Sequence, residues 1–171
     1  MEFAVQSKIF YPSHGAGWIR SQKVITFGGE EKQYYEFQFI NNALNISTPV
    51  DHIYDLGIRK VANPTAIRKS AAILKSKPSI KPNVKDFNEL ALILDELERS
   101  TDTDDFIKII QYCNYEKKLR QKEGRLIPLS IQKHIKNAFL NIAGELAVST
   151  DKSLDEAQKA IEKVTGLKDL F

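Results

Sequence analysis

Apolar and polar residues alternate with the period of a β-strand in the first third of the chain. The runs KIFYP, GWIRSQKVIT and KQYYEFQFI are each short and rich in aromatic or β-branched residues. In the last run Tyr35, Phe37 and Phe39 alternate with Glu36 and Gln38. Alternation of this kind is typical of strands with one buried face. The pattern therefore predicts a sheet in the first part of the chain.

Short polar links separate these runs. FGGEE joins the second run to the third and suits a hairpin, and INNALNIST supplies an Asn-Asn turn followed by one more strand that ends at Pro49. FYPSHGAGWI places glycines at a tight corner between the first two strands. Four or five antiparallel strands within about sixty residues predict a small β-barrel of the Tudor or SH3 kind over residues 1–63.

The apolar period changes to that of a helix from Pro64 onward. Asn63-Pro64 has the form of an N-cap followed by a first-turn proline, and Ile67, Ala71 and Leu74 then share one face. Proline and lysine fill the next linker, SKPSIKPNVKD, which is predicted to be a hinge. Later helices are predicted at 85–99, 103–122 and 129–147, with a last helix opened by a capping box at Ser153 and closed by Gly166.

These two patterns together predict the fold class. Each helix has an apolar face that needs a partner, so residues 64–171 are expected to form an all-α bundle of about five helices. The chain is thus predicted to be a two-domain α+β protein with a boundary between residues 63 and 64.

Composition adds that the protein is globular and soluble. Of 171 residues, 42% are hydrophobic and 27% are charged, which excludes a disordered tail. No apolar run approaches the ~20 residues that span a bilayer, and MEFAVQSKIF does not resemble a signal peptide. We therefore expect a cytoplasmic protein without a membrane partner.

Candidate catalytic chemistry is sparse. Cys113 is the only cysteine and lies on the apolar side of its predicted helix, while His14, His52 and His134 are far apart in sequence. The chain has no glycine-rich phosphate loop and no Gly-x-Ser-x-Gly elbow. These observations predict a protein that is not an enzyme and has no catalytic residues, no metal site and no cofactor.

Positive charge is concentrated in the second part. The net charge is +3, and residues 1–63 carry equal numbers of basic and acidic residues. One cluster runs from Arg68 to Lys85, and a second, KKLRQKEGRL, runs from Lys117 to Leu126. For any single lysine a solvated helix face is the simpler interpretation. Together, however, the second cluster and the next helix can present several cations to successive DNA phosphates without reading sequence.

Short motifs stand out in both parts of the chain. In the first part they are Phe3 and Val5, Tyr11-Pro12-x-His14-Gly15-x-Gly17, the Gly29-to-Tyr34 hairpin, a strand ending in Pro49, and Leu56-Gly57-Ile58-Arg59. In the helical part the motif is Gly144-Glu145-Leu146-Ala147. This set of motifs resembles the CarD/CdnL family of bacterial transcription regulators. The family's amino-terminal domain is an RNA-polymerase-interacting module that also occurs in transcription-repair coupling factor.

The resemblance implies a function without catalysis. The barrel would dock on the β-subunit of RNA polymerase by strand pairing, and the helical domain would touch double-stranded promoter DNA near the upstream edge of the melted region. The protein would then modulate the stability of the open complex, with little dependence on DNA sequence. It is expected to be a bacterial monomer that associates with the nucleoid when bound to polymerase.

Three positions depart from the family pattern. Ile25 and Ser47 stand where the family commonly carries polymerase-contacting arginines, and losing such a charged pair could cost ~2 kcal/mol or more. The family's wedge tryptophan is replaced, since Trp18 lies in the barrel; Tyr115 could substitute for it or simply pack in the fold. An alternative function is therefore a divergent CarD-fold interaction module that has lost or changed its polymerase contact.

The resemblance and the charge pattern together give two sets of candidate site residues. The predicted polymerase-binding residues are Ile25, Tyr35, Phe37, Ser47 and Pro49. The predicted DNA-binding residues are Tyr115, Lys117, Lys118, Arg120, Lys122, Arg125, Lys133 and Lys136.

Overall fold

A computed structural model describes residues 3–168. These residues form five strands and then five helices, with one 3₁₀ turn at Val50–His52. The strands are β1 (Lys8–Tyr11), β2 (Gly15–Phe27), β3 (Glu30–Phe39), β4 (Asn45–Pro49) and β5 (Arg59–Lys60). The helices are α1 (Pro64–Ser76), α2 (Phe87–Glu98), α3 (Thr103–Lys122), α4 (Leu129–Thr150) and α5 (Leu154–Thr165). This order confirms the predicted α+β class.

The strands form one antiparallel sheet in the order β4-β3-β2-β1-β5. Among the residues described, β4 and β5 do not pair, so the sheet is open where the predicted barrel would close. A β-bulge between Ile19 and Ser21 bends β2 and changes the face on which later side chains lie. The result is a bent, Tudor-like sheet with two free edges.

Glycines at two places in the hairpin, the turn and the start of β2, fix the geometry of β2 and β3. Gly28 and Gly29 form its two-residue turn, with φ of 62° and 86°, values that suit glycine and match a tight hairpin turn. Gly17 allows β3 to approach β2, because a Cβ there would lie 2.0 Å from the carbonyl oxygen of Gln38. Both features were visible in the sequence as glycines at a predicted corner and link.

The sheet has a different core on each face. Ile19, Phe37 and Phe39 are buried in a cluster within the sheet region. Phe10 and Ala16 lie instead in the larger core of the helices, and Trp18 packs against that core. Trp18 and Ile19 are consecutive in β2, so strand alternation places their side chains on opposite faces of the sheet. The sequence alone does not show which of the two faces the helices.

The helices match their predictions closely. Asn63 caps α1 by accepting a hydrogen bond from the Thr65 backbone N–H, and Ser153 forms the predicted capping box with Glu156. α4 extends to Thr150, three residues beyond the prediction, and its C-cap residue Asp151 has the left-handed backbone conformation. The predicted apolar positions Ile67, Ala71 and Leu74 are buried in α1.

An ion pair joins the sheet to the helices. The Arg59 guanidinium on β5 lies 2.5 Å from the fully buried Glu145 carboxylate on α4, and its Nε donates to the carbonyl of Thr101 at 3.0 Å. Glu145 also accepts from the Ala62 backbone N–H at 2.7 Å. The chain changes from strand to helix at Asn63–Pro64, but the larger hydrophobic core contains side chains from both sides of this point. The division into domains 1–63 and 64–171 therefore stays a prediction.

Candidate partner-binding sites

β4 offers a free edge of the sheet. Its inner side pairs with β3, with Ser47 opposite Glu36 and Pro49 opposite Tyr34, and no further strand follows it in the sheet order. The Ser47 side chain is exposed, and Pro49 is half-buried. An edge strand of this kind carries main-chain groups that can pair with a strand of another protein. Pro49 has no N–H to offer, so any such pairing must rely on the residues before it.

Tyr35 and Phe37 do not belong to that surface. Both side chains are buried, with 4% and 0% of their area exposed. The Tyr35 hydroxyl donates to the Phe3 carbonyl at 2.6 Å, and Phe37 packs edge-on against Tyr11. β3 is also paired on both sides, by β2 and β4. In this structure both side chains belong to the core that supports the edge strand β4, and their selection as polymerase contacts stays a prediction.

Ile25 lies on a hairpin that projects beyond its neighbouring strands. β1 pairs only with Gly15–Trp18 of β2, and β4 only with residues 34–38 of β3. The outer hairpin exposes Val24 by 59%, Ile25 by 40% and Phe27 by 86%. Scattered apolar residues are common on surfaces, but Ile25 and Phe27 lie on the same face of β2 next to its turn, with Val24 on the opposite face. Ile25 is therefore accessible, but it lies on the part of the hairpin that extends beyond β4 and not on that edge strand.

The linker between α1 and α2 lies across α3. Gln111 donates from its side chain to the carbonyl of Lys77 at 2.8 Å, and Asn114 donates to that of Pro78 at 2.9 Å. The Lys118 ammonium contacts the Ser79 hydroxyl at 3.2 Å. These bonds bring the end of the first basic cluster beside the second, although more than thirty residues separate them in sequence.

The two clusters border one groove of about 460 Å³. Lys81 and Lys85 from the linker line it together with Tyr115 and Arg125 from α3 and the turn that follows. Tyr115 is half-buried there, so its ring contributes to the groove without projecting from it. Asp86, Glu116 and Arg120 also line the groove, so four basic and two acidic residues surround the Tyr115 ring. The groove is called the basic groove below and is defined by Lys81, Lys85, Tyr115 and Arg125.

Arg120 was selected for DNA binding, but the fold occupies its guanidinium. Its Nε lies 2.5 Å from the Glu116 carboxylate, one turn earlier, and a second nitrogen donates to the Leu126 carbonyl at 3.2 Å. The guanidinium also stacks over the Phe87 ring at 4.6 Å. Only 15% of the side chain is exposed. We therefore assign Arg120 a structural role at the α2–α3 contact.

The remaining predicted cations are distributed more widely. Lys118 and Lys122 are exposed on α3, and Lys117 is half-buried. Arg125 forms a half-exposed pair with Glu123 at 2.8 Å. Lys133 and Lys136 are exposed on α4 and do not line the basic groove. The geometry thus joins Arg125 and Tyr115 to Lys81 and Lys85, two residues that the predicted set did not contain.

The groups that could suggest catalysis have structural surroundings. Burial, with smaller effects from the Glu98 and Glu116 charges, raises the pKa of the Cys113 thiol to about 12. The His14 ring packs edge-on against Tyr11 at 4.9 Å between centroids, and burial lowers its pKa. Cys113 is therefore a protonated core residue at neutral pH, and His14 is part of the β1–β2 corner.

Comparison with known families agrees with the sheet. None of the helices described is long and apolar enough to span a membrane. Residues 3–62 match the model of the CarD-like/TRCF RID domain, a range that contains all five strands and ends just before α1. Residues 3–62 are therefore similar to the CarD-like/TRCF RID domain, an RNA-polymerase-interacting domain, and this match does not extend to the helices.

Proposed function

We propose that the protein is a non-catalytic transcription regulator that binds the β-subunit of RNA polymerase through the edge of its sheet and promoter DNA through its helices. The domain match over residues 3–62 is the observation that carries this proposal. The free edge at β4 supports strand addition as the mode of docking, with Ser47 exposed on it.

The basic groove supports the second contact. Lys81, Lys85 and Arg125 come from two segments and flank one aromatic side chain. Cations in such an arrangement attract phosphates without distinguishing bases, so affinity alone would be weak and sensitive to salt. Docking on polymerase would make the DNA contact effectively intramolecular, which compensates for weak affinity. In this mechanism the protein shifts the stability of the open complex by holding DNA against polymerase.

Binding to the β-subunit tests the proposal most directly. We expect the full chain to capture the isolated β-subunit lobe of the cognate polymerase, and open complexes at a promoter to change their lifetime when the protein is added. A folded protein that fails to bind the lobe would overturn the proposal. Binding without a change in lifetime would confine the function to polymerase docking.

A second candidate function rests on the exposed hairpin face that carries Ile25 and Phe27. An apolar hairpin tip suits a protein partner whose contact surface is itself apolar, rather than the charged contact implied by arginines. The protein would then be an interaction module with a changed partner. Replacement of Phe27 by Ser distinguishes the two: loss of β-subunit binding places the hairpin in the polymerase contact, and unchanged binding leaves it free for a different protein.

A further inference from the structure

Three side chains of the types that bind metals meet between α2 and α4. Asp95 and Glu98 lie three residues apart on one face of α2, and His134 approaches them from α4. Each of the three can offer one ligand atom such that all lie within 4.8 Å of one another. The His134 Nδ1 atom is 2.7 Å from a Glu98 carboxylate oxygen. Sequence spacing does not reveal the cluster, because its members come from two separate helices.

The cluster has an excess of negative charge. Among the described residues, Glu98 forms an ion pair only with His134, and Asp95 forms none. Within the cluster two carboxylates face one imidazole, which can offset one charge at most and only when it is protonated; Arg99 lines the same cleft, and the Lys133 charge acts on His134 from the neighbouring position. A divalent cation would offset both carboxylate charges while leaving the imidazole neutral and free to act as a ligand.

Burial and access also suit a bound ion. The His134 side chain is 14% exposed and Glu98 is 28% exposed, so the surrounding fold restrains both, whereas Asp95 is open to solvent. The two carboxylates line an open cleft of about 580 Å³ that also contains Asn137 and Asn141. An ion could therefore enter past Asp95 and keep a water molecule or another small ligand on the side facing the cleft.

We propose that Asp95, Glu98 and His134 form a binding site for a transition-metal dication, with Zn²⁺ as the ion of best fit. A ligand set of one imidazole nitrogen and two carboxylate oxygens suits Zn²⁺ and Co²⁺, while Ca²⁺ and Mg²⁺ favour oxygen ligands alone. The bound ion would link the end of α2 to α4. This site lies outside the β4 edge and the basic groove, so it is independent of the proposed function.

The His134–Glu98 pair needs only a small adjustment, and Asp95, whose ligand atom lies within 4.8 Å of the other two, must approach by rotation of its exposed side chain. Two ligands of one tetrahedral Zn²⁺, each at about 2.0–2.1 Å, lie about 3.3 Å apart. The present separation of 2.7 Å between His134 and Glu98 must therefore widen by about 0.6 Å, which a rotation of the partly exposed Glu98 side chain supplies. The competing interpretation is that His134 and Glu98 form a simple ion pair with no affinity for metal, and metal titration distinguishes the two.

The experiment uses the full, tag-free chain with His52→Gln as the common background, because His52 and Asp55 form an exposed pair that could bind metal weakly. Zn²⁺ is titrated by calorimetry, and Co²⁺ by visible absorption. We expect one saturable site, a Co²⁺ d–d band and a rise in melting temperature with Zn²⁺. Asp95→Asn and His134→Gln should each weaken binding by about tenfold or more.

Glu96→Gln is the matched control, because Glu96 is exposed on the same helix and does not belong to the cluster. It should leave affinity unchanged. Asp95 is exposed, so Asp95→Asn is expected to fold normally, as circular dichroism in EDTA would verify, even if His134→Gln does not. Absence of saturable binding below millimolar metal would overturn the proposal. Binding that survives Asp95→Asn and His134→Gln in folded protein would overturn it equally, since the metal would then be held elsewhere.

Discussion

Arg120 stands in the most basic stretch of the sequence, yet its guanidinium is satisfied inside the fold. A count of charged residues cannot show that Arg120 is held inside the fold, although the sequence does place a possible partner, Glu116, four residues earlier. The Leu126 carbonyl and the Phe87 ring became partners only through tertiary packing. Tyr35 and Phe37 show the converse: the alternation of the sequence predicts a strand with one buried face, and both side chains are buried on it.

Cys113 gives a simple test of core packing at the level of one residue. Because burial raises its pKa to about 12, the thiol is protonated at pH 8 and shielded from solvent. We expect the native protein to react with a thiol-specific disulfide reagent only very slowly at pH 8, while the protein in urea reacts at once with one equivalent. Rapid labelling of the native protein would show that the α3 core opens readily.

Gly17 is predicted to tolerate no side chain. In Gly17→Ala the new Cβ would meet the Gln38 carbonyl oxygen at 2.0 Å, and backbone on both strands must move apart. We expect a loss of about 3 kcal/mol in the free energy of unfolding, measured in urea. Gly28→Asn is the matched control, because Gly28 has open space and a left-handed φ of 62° that asparagine accepts. An unaffected Gly17→Ala would contradict the close approach of β2 and β3.

Ser47 allows a test by gain of affinity. Restoring the charge that the family commonly carries there, with Ser47→Arg, should tighten binding to the β-subunit lobe, because the residue is exposed on the free edge of the sheet. An added charged pair of about 2 kcal/mol corresponds to roughly thirtyfold in Kd. Gln132→Arg, at an exposed position on α4, adds the same charge away from the edge and should have no effect. Equal affinities for Ser47→Arg and the unchanged chain would place the polymerase contact elsewhere.

At the scale of elements, the sequence predicted the positions of the helices better than the contacts between the elements. Periodic apolar positions and caps located α1 to α5 to within a few residues, because both signals are local. The linker 77–86 was expected to be a hinge, yet side chains of α3 hold its carbonyl groups. No local pattern could show that contact, which is why Lys81 and Lys85 were absent from the predicted DNA-binding residues.

The basic groove, together with Lys118, which contacts Ser79 beside it, predicts which lysine replacements weaken DNA binding. We expect Lys81→Gln/Lys118→Gln to lower affinity for all duplex sequences alike and to reduce the salt slope by up to about 0.9 for each phosphate contact that is lost. Both side chains are exposed and come from the two segments that meet there. Lys152→Gln/Lys163→Gln removes the same charge from the region of α5 and should have little effect. Equal losses in the two double variants would mean that only net charge matters.

At the scale of the whole molecule, sheet and helices share a core and an ion pair. Leu56-Gly57-Ile58-Arg59 and Gly144-Glu145-Leu146-Ala147 were recognised separately, as marks of the two parts, and the structure joins them through Arg59 and Glu145. Sequence reasoning could not pair them, because residues 86 positions apart carry no local signal of contact. Phe10 reinforces the junction, since it packs against Phe106 and lies beneath the Arg59 guanidinium.

Arg59→Met tests that junction. The substitution keeps an apolar stem but leaves the Glu145 carboxylate buried without its charge partner, which is expected to destabilise the protein by about 3 kcal/mol. Lys8→Met is the control, because the Lys8–Asp151 pair also joins the sheet to the end of α4 but is solvent-exposed and should contribute under about 1 kcal/mol.

Trp18, the only tryptophan, packs where the sheet meets the helical core and reports on it by fluorescence. If sheet and helices unfold together, fluorescence and helical circular dichroism will give one coincident urea transition, at a lower midpoint in Arg59→Met. A variant with an unchanged midpoint would show that the shared apolar core, rather than the ion pair, holds the two parts together.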